Sequence, residues 1–399
     1  MRIRNFFSLP VTIVVILILL TSGITLQSLL KKKKHFEEGG KEYTHYNNYV
    51  IFKQSYHHLK AQKDLYTLYP EEHWDLYKYS PGFALLMAPF AMLPDGWGLL
   101  FWNLLNVLIL FVAFWKLPLF ADKSKIWMLA LIFLELITST QNSQSNALIA
   151  GLLILIYILL EKDYAFIATL CLMLTVFIKL FGIVGLVMFL FYPKKLRSVA
   201  YFTFWGLIFL ALPLLVCSVD QSVFLYKSWF RLLQNDHGIS TGISVAGWLQ
   251  TWFHIEAKTG IVGIGVILFC IPLIHLKHYK DSYFRLLYLC SVLIWVIIFN
   301  HRAESATYII AVSGIGLWYF GQSRSALNSF LLILAIVLTI LSPTDLFPKY
   351  LRQNYVIPYV LKAVPCILIW FKIVYDLMRF ETLKYSNSQL HKSERLDAK

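Results

Sequence analysis

The hydrophobic pattern opens with a run from Val11 to Leu30 that carries no charged side chain. It is long enough to cross a bilayer, for which about 20 apolar residues suffice. Comparable runs recur at 97–118, 126–140, 146–160, 164–178, 180–192, 199–217, 260–276, 284–299, 305–320, 326–341 and 356–377. The pattern predicts an all-α polytopic membrane protein with roughly 10–12 transmembrane helices and a long first outer loop. Between 146 and 192 the runs hold only 13 to 15 residues each. That is short for full crossings, so tilted, re-entrant or fused segments are expected there. The apolar stretch from Phe83 to Leu93, broken by Pro89 and followed by Pro94, reads as a half-inserted hairpin. Within the loop before it, Tyr49, Phe52, Tyr56 and Leu59 recur at helical spacing. That stripe predicts an amphipathic helix lying on the bilayer.

Composition agrees with the pattern. Of 399 residues, 58% are hydrophobic and 15% charged, whereas soluble domains are about a quarter charged. A soluble enzyme is excluded. The net charge of +14 would suggest a nucleic-acid partner in a soluble protein, but here the basic residues concentrate in short loops and the tail. No nucleic-acid partner is expected. Cys171, Cys217, Cys270, Cys290 and Cys366 all lie in or beside apolar runs, without a CxxC pair, so neither a disulfide framework nor a zinc site is indicated. Arg2 and Arg4 precede the first run, as in a secretory leader. A 20-residue run without a small-residue cleavage site instead reads as a retained first span.

Charge then orients the chain. With the N-terminus inside, the inner loops hold Lys116, Lys123 and Lys125, then Lys194, Lys195 and Arg197, then Lys277, Lys280 and Arg285. The tail 378–399 adds Arg379, Lys384, Lys392, Arg395 and Lys399 and is expected to be cytoplasmic. Lys31 to Lys34 run against this, but Glu37, Glu38, Glu42, Asp64, Glu71, Glu72 and Asp75 in the same loop offset them. The polar segments then collect on the outer face: the loop 31–96, QNSQSN at 141–146, the loop 218–259 and NHRAES at 300–305. No loop is large enough for a separate soluble domain, so residues 1–399 are read as one integral-membrane domain. Localisation in a bacterial inner membrane, with the site facing the periplasmic side, fits this charge pattern.

Several polar residues stand out against that background. The first loop is dense in acids, histidines and aromatic rings, the combination a sugar site needs; a solvated loop with interfacial tyrosines is the plainer reading. Glu135 lies inside a predicted span, where ionisable groups are costly and either functional or paired. Glu135, Thr138 and Asn142 share a helical face, and Gln141, Asn142, Gln144 and Asn146 crowd its end. Lys179, flanked by apolar residues, is suited to a phosphate, to an ion pair with Glu135 or to snorkelling toward the headgroups. His301, Arg302 and Glu304 fall within four residues and could bind phosphate and move protons, or form a structural ion-pair knot. Asp236 and His237 are a weaker hint in a long loop. No Gly-rich phosphate loop and no DxD-like metal pair occurs, so a nucleotide-sugar and metal mechanism is unsupported.

Four stretches, taken in order, resemble glycosyltransferase family 87: NNYVIFKQSYHHLKAQKDLY, YKYSPGFALLMAPFAMLPDGWGLLFWNLLN, QNSQSN and FIKLFG. The YSPGFALLMAPFAMLP block is similar to the family's Tyr-Pro-Pro hairpin, and Lys179-Leu180-Phe181 to its Lys-Leu-Phe step. The resemblance runs from about 43 to 195. It implies a GT-C-type fold and transfer of a hexose, typically mannose, from a polyprenyl-phosphate donor to a glycan or glycolipid acceptor. The expected mechanism is an inverting displacement within the membrane lipid, without cofactor or metal. Two departures are visible. The family's Asp at the head of the first-loop helix, counted back from Asp64-Leu65-Tyr66, falls on Asn48, whose amide cannot take a proton; and Ser80 precedes Pro81 where the family has a second proline.

With Asn48 in that position, Glu42 is the expected base, with Asp64, Asp75 and Glu304 as alternatives. Lys179, His301 and Arg302 are expected at the donor phosphate, and Asn48, Tyr79, Glu135, Asn142, Gln144 and Asn146 on the sugar and substrate side. The alternative function is a transporter or flippase of lipid-linked saccharides without chemistry. Against it, no inverted repeat of 11–160 is discernible in the second half, and the polar residues favour one face over the midplane.

Overall fold

A computed structural model describes residues 9–36, 40–235 and 241–381. Asp236, His237, Glu37, Glu38, Arg2, Arg4 and most of the 378–399 tail lie outside these described residues.

Each of the twelve apolar runs becomes helical. Among the described residues three helices are long and apolar enough to cross a membrane outright: Leu9–Leu30, Asp95–Trp115 and Lys195–Leu215, of 22, 21 and 21 residues. The crowded stretch resolves into three separate helices, Asn146–Glu161, Ala165–Ile178 and the tighter 3₁₀ helix Leu180–Phe191. Asp163, at a positive φ of 59°, turns the chain between the first two. Lys179, extended at φ −139° and ψ 113°, breaks it between the second and third.

Burial sorts these helices into centre and periphery. Asn146–Glu161, Ser282–Ile298 and Tyr308–Phe320 are apolar all round and buried on nearly every side, as helices enclosed by other helices must be. On Lys195–Ala211 only Phe209 is buried, and most of Leu9–Leu30 is open, so both present apolar surface outward. Within water such surface would aggregate; against lipid it is the low-energy arrangement.

The first loop folds back onto this bundle. Lys34–His35 and Glu42–Tyr43 form a two-residue antiparallel ribbon, followed by the helix Asn47–Lys60. Tyr49, Phe52, Tyr56 and Leu59 are all buried, at 0%, 1%, 7% and 0% exposure. The stripe expected to lie on the bilayer thus packs against protein. Phe52 meets Tyr79, Phe83 and Trp102 with ring centroids 4.9, 5.4 and 5.6 Å apart. The hairpin consists of two short helices, Pro81–Leu86 and Ala88–Ala91. Gly98 admits it closely: a Cβ there would lie 2.0 Å from the Tyr49 hydroxyl and 2.3 Å from Phe90 O.

Ser80 explains why a serine can precede Pro81. Its extended backbone (φ −65°, ψ 155°) and its hydroxyl, accepting from Phe83 N at 3.1 Å, cap a helix that starts with proline. The same hydroxyl donates to Phe177 O at 2.6 Å, two residues before the break at Lys179. Ser80→Ala is therefore expected to destabilise the fold by about 2 kcal/mol, read as a lower thermal unfolding temperature in detergent. An unchanged transition would show that neither bond matters.

Candidate functional site

The polar segments meet at one end of the bundle. Their local folding is dictated by the short turn between Asp122–Gln141 and Asn146–Glu161, where Ser143 sits at a positive φ of 52° and its carbonyl accepts from Trp102 Nε1 at 2.9 Å. That turn points Gln144 and Asn146 into the bundle, where they are 9% and 0% exposed. Buried amides need partners on every polar atom, and these find them in distant segments. Asn146 Nδ2 donates to Gln144 Oε1 at 2.5 Å and to Ala306 O at 2.9 Å. Asn146 Oδ1 accepts from Lys179 Nζ at 2.6 Å. Gln144 Nε2 donates to Glu304 Oε2 at 3.1 Å. A continuous relay, Lys179–Asn146–Gln144–Glu304, thus joins a cation to a carboxylate across three segments.

The two ends of the relay differ. Lys179 is half-buried, with its ammonium 5.8 Å from the Phe181 ring centroid, while Glu304 is exposed. Tyr79 lies nearby: burial, together with the charges of Glu304 and Asp75, raises its hydroxyl well above the usual phenol range. It therefore stays a neutral donor. Asn48 donates from Nδ2 to Asn142 O at 2.9 Å, fastening the loop helix to the turn. Asn142 itself donates back to Thr138 O at 2.8 Å.

His301 and Arg302 sit in the same turn as Glu304. Asn300 Oδ1 accepts from Arg302 N at 2.9 Å, and Ile243 N bonds Ala303 O at 2.8 Å. Gly242, at φ +57°, makes that approach possible, since a Cβ there would come within 2.7 Å of His301 O. His301 also borders a cavity of about 330 Å³ with Lys258, Thr259 and Phe299.

Other expected residues lie apart from the relay. Glu42 pairs with His35 at 3.3 Å on the ribbon, with side chains 55% and 54% exposed. Asp64 accepts from Tyr66 N at 3.1 Å, a local turn bond, and from Ser228 Oγ at 3.4 Å on the helix Val219–Asn235. Asp75, at a positive φ of 72°, accepts from Leu76 N and pairs with Lys78 at 2.9 Å. Glu135 is paired, though not with Lys179: its Oε1 lies 2.7 Å from Lys362 Nζ, with side chains 1% and 5% exposed. Lys362 also donates to Ser305 Oγ at 2.9 Å and covers the Tyr308 ring at 4.8 Å.

Lys362 is the residue that sequence reasoning passed over. It had a signal, being a lysine flanked by apolar residues inside the run 356–377, as Glu135 is a lone acid in 126–140. Among the described residues no three His, Cys, Asp or Glu side chains come together as a metal-binding set.

A family model for glycosyltransferase family 87 matches residues 77–343. The match includes the hairpin, both ends of the relay and the turn at 300–305, and it extends well past residue 195. The helix carrying Asn48 precedes it. No curated protein matches the chain.

Proposed function

The chain belongs to glycosyltransferase family 87 and is a membrane glycosyltransferase; from that premise we propose that it moves a hexose, mannose first among the candidates, from a polyprenyl-phosphate donor to a hydroxyl of a lipid-linked or cell-surface glycan. The relay from Lys179 to Glu304 carries this reading, because it links one cation to one carboxylate through two buried amides. In the proposed step the acceptor oxygen attacks the anomeric carbon and its proton passes to Glu304. The bond from that carbon to the phosphate oxygen breaks, with inversion, and polyprenyl phosphate leaves. Lys179, with His301 and Arg302, neutralises the charge that develops on the departing phosphate. Gln144 and Asn146, buried and bonded to both ends, hold Lys179 and Glu304 in register, and Tyr79, near Glu304, supplies a neutral hydrogen-bond donor.

Glu304 is preferred over Glu42 as base for a geometric reason. A base must reach the proton it takes, and Glu304 joins the relay while remaining open to an incoming hydroxyl. Glu42 instead pairs with His35, and no bond joins it to the relay among the described residues. The basic loops at the opposite end, with Glu161 bridging Arg285 at 2.6 Å, support an outward-facing cluster in a bacterial inner membrane.

The test uses purified protein, radiolabelled polyprenyl-phosphate mannose and a lipid extract from the host. Label entering a new glycolipid, with polyprenyl phosphate released in step, is expected. Lys179→Met should reduce that release by about a hundredfold or more. Binding of the carrier without release, from mannose and glucose donors alike, would overturn the proposed donor.

A further inference from the structure

A second cavity opens at the same end of the bundle, behind the turn that carries Glu304. It holds about 510 Å³ and is lined by Ser305, Ser342, Arg352, Val356, Val360 and Lys362, with Ile357 at its edge. Three backbone irregularities converge on it. The helix Ala326–Ala335 widens into a π-helical stretch, Ile336–Leu341, immediately before Ser342. A second π-helical stretch, Arg352–Val356, supplies two of the lining residues. Val360 has a positive φ of 53°, a conformation strongly disfavoured for a β-branched residue. Wide helical turns and strained positions concentrate where a fold makes room for a ligand.

The polar groups of this cavity are unequal. Lys362 directs its three N–H groups at Glu135 Oε1, Ser305 Oγ and Ser305 O, so its charge is compensated and its donors are used. Among the described residues the Arg352 side chain makes its hydrogen bonds through Nη1: to Pro343 O at 3.4 Å, Thr344 O at 3.0 Å and Asp345 Oδ1 at 3.2 Å. Its one carboxylate partner, Asp345, is fully exposed, and such a partner contributes little. The surroundings are those of a lipid headgroup layer. Tyr350, Tyr355 and Tyr359 are 67%, 47% and 46% exposed, Ile357 is 65% exposed, and Trp252 Nε1 bonds Tyr359 O at 2.8 Å. Belts of tyrosine and tryptophan mark that depth in membrane proteins.

We propose that this cavity binds a lipid phosphate, with the Arg352 guanidinium taking the phosphate and the start of the hydrocarbon chain lying against Val356, Ile357 and Val360. An arginine fork matches phosphate oxygens in pairs, and the apolar wall excludes a free inorganic ion as the preferred ligand. The inference does not rest on the transfer reaction. It does give the reactive turn a neighbour, because Ser305, at the cavity wall, follows Glu304 directly.

The experiment places the full chain in phosphatidylcholine nanodiscs and titrates polyprenyl phosphate, phosphatidylglycerol and polyprenol, with native mass spectrometry as readout. Both phosphate lipids, or polyprenyl phosphate alone, are expected to bind, and polyprenol to bind at least about tenfold more weakly. Binding of both assigns the cavity to phosphate lipids in general; binding of polyprenyl phosphate alone assigns it to the carrier. Arg352→Gln should weaken binding about tenfold while Lys179→Met leaves a bound lipid behind. Ile357→Glu puts a carboxylate at an exposed edge of the cavity and should weaken binding similarly, which decides the matter if Arg352→Gln fails to fold. Equal binding of polyprenol, or phosphate-lipid binding abolished by Lys179→Met and untouched by both cavity variants, would overturn the proposal.

Discussion

Replacing Glu304 by glutamine is expected to lower turnover by about 10²- to 10⁴-fold, the usual contribution of a positioned general base. The substitution is close to isosteric and keeps a hydrogen-bonding group near Gln144 Nε2, 3.1 Å from the native carboxylate. Since Glu304 is exposed, folding and membrane insertion should be preserved. The loss should therefore fall on kcat in a transfer assay, with donor binding retained, because Lys179 and Asn146 remain in contact. Glu42→Gln, made alongside, should keep most of the activity, since its native partner is His35 on the ribbon. An active Glu304→Gln enzyme and an inactive Glu42→Gln enzyme would return the proton transfer to the first loop.

Lys362→Met should be the most destabilising of the single substitutions considered, by about 3–5 kcal/mol, the range for breaking a buried ion pair. The reason lies in what remains. Glu135, 1% exposed, would be left with an uncompensated carboxylate inside the bundle, and Ser305 would lose the bonds that hold its backbone and hydroxyl. Removing both charges, as in Glu135→Leu with Lys362→Met, leaves no buried charge behind. The double variant should recover most of the stability, because well-packed apolar residues replace buried ion pairs at little cost. Thermal unfolding in one detergent distinguishes the cases. A double variant no more stable than Lys362→Met would show that the pair holds the 300–305 turn through its hydrogen bonds to Ser305 and not through its charge. In that case activity should also stay low in the double variant.

Much of the architecture was legible because hydrophobic periodicity is a local property. Every apolar run became a helix, including the short ones between 146 and 192, whose separation into three needed only a turn at Asp163 and a break at Lys179. The stripe Tyr49, Phe52, Tyr56, Leu59 was legible as one face of a helix, but not its partner. An aromatic stripe fits a bilayer surface and a proline hairpin equally well, and Trp102, Phe83 and Tyr79 decide for the hairpin. The serine before Pro81 shows the same division. Its place before a helix-starting proline is readable as a cap, whereas its second bond, to Phe177 O, crosses 97 positions of sequence.

By itself the sequence determined that this is an all-helical membrane protein, that its unusual polar residues gather at one end, and that four of its stretches resemble one family of membrane glycosyltransferases. Only the tertiary structure decided who pairs with whom. Gln144 and Glu304 are 160 residues apart, and Glu135 and Lys362 are 227 apart. From the sequence, Lys179 could equally have met Glu135 or a headgroup; in the fold it meets Asn146, and Glu135 meets Lys362. The physical reason is that burial is paid for by the pattern along a helix, while the satisfaction of a buried charge depends on which other helix stands opposite, and at what height.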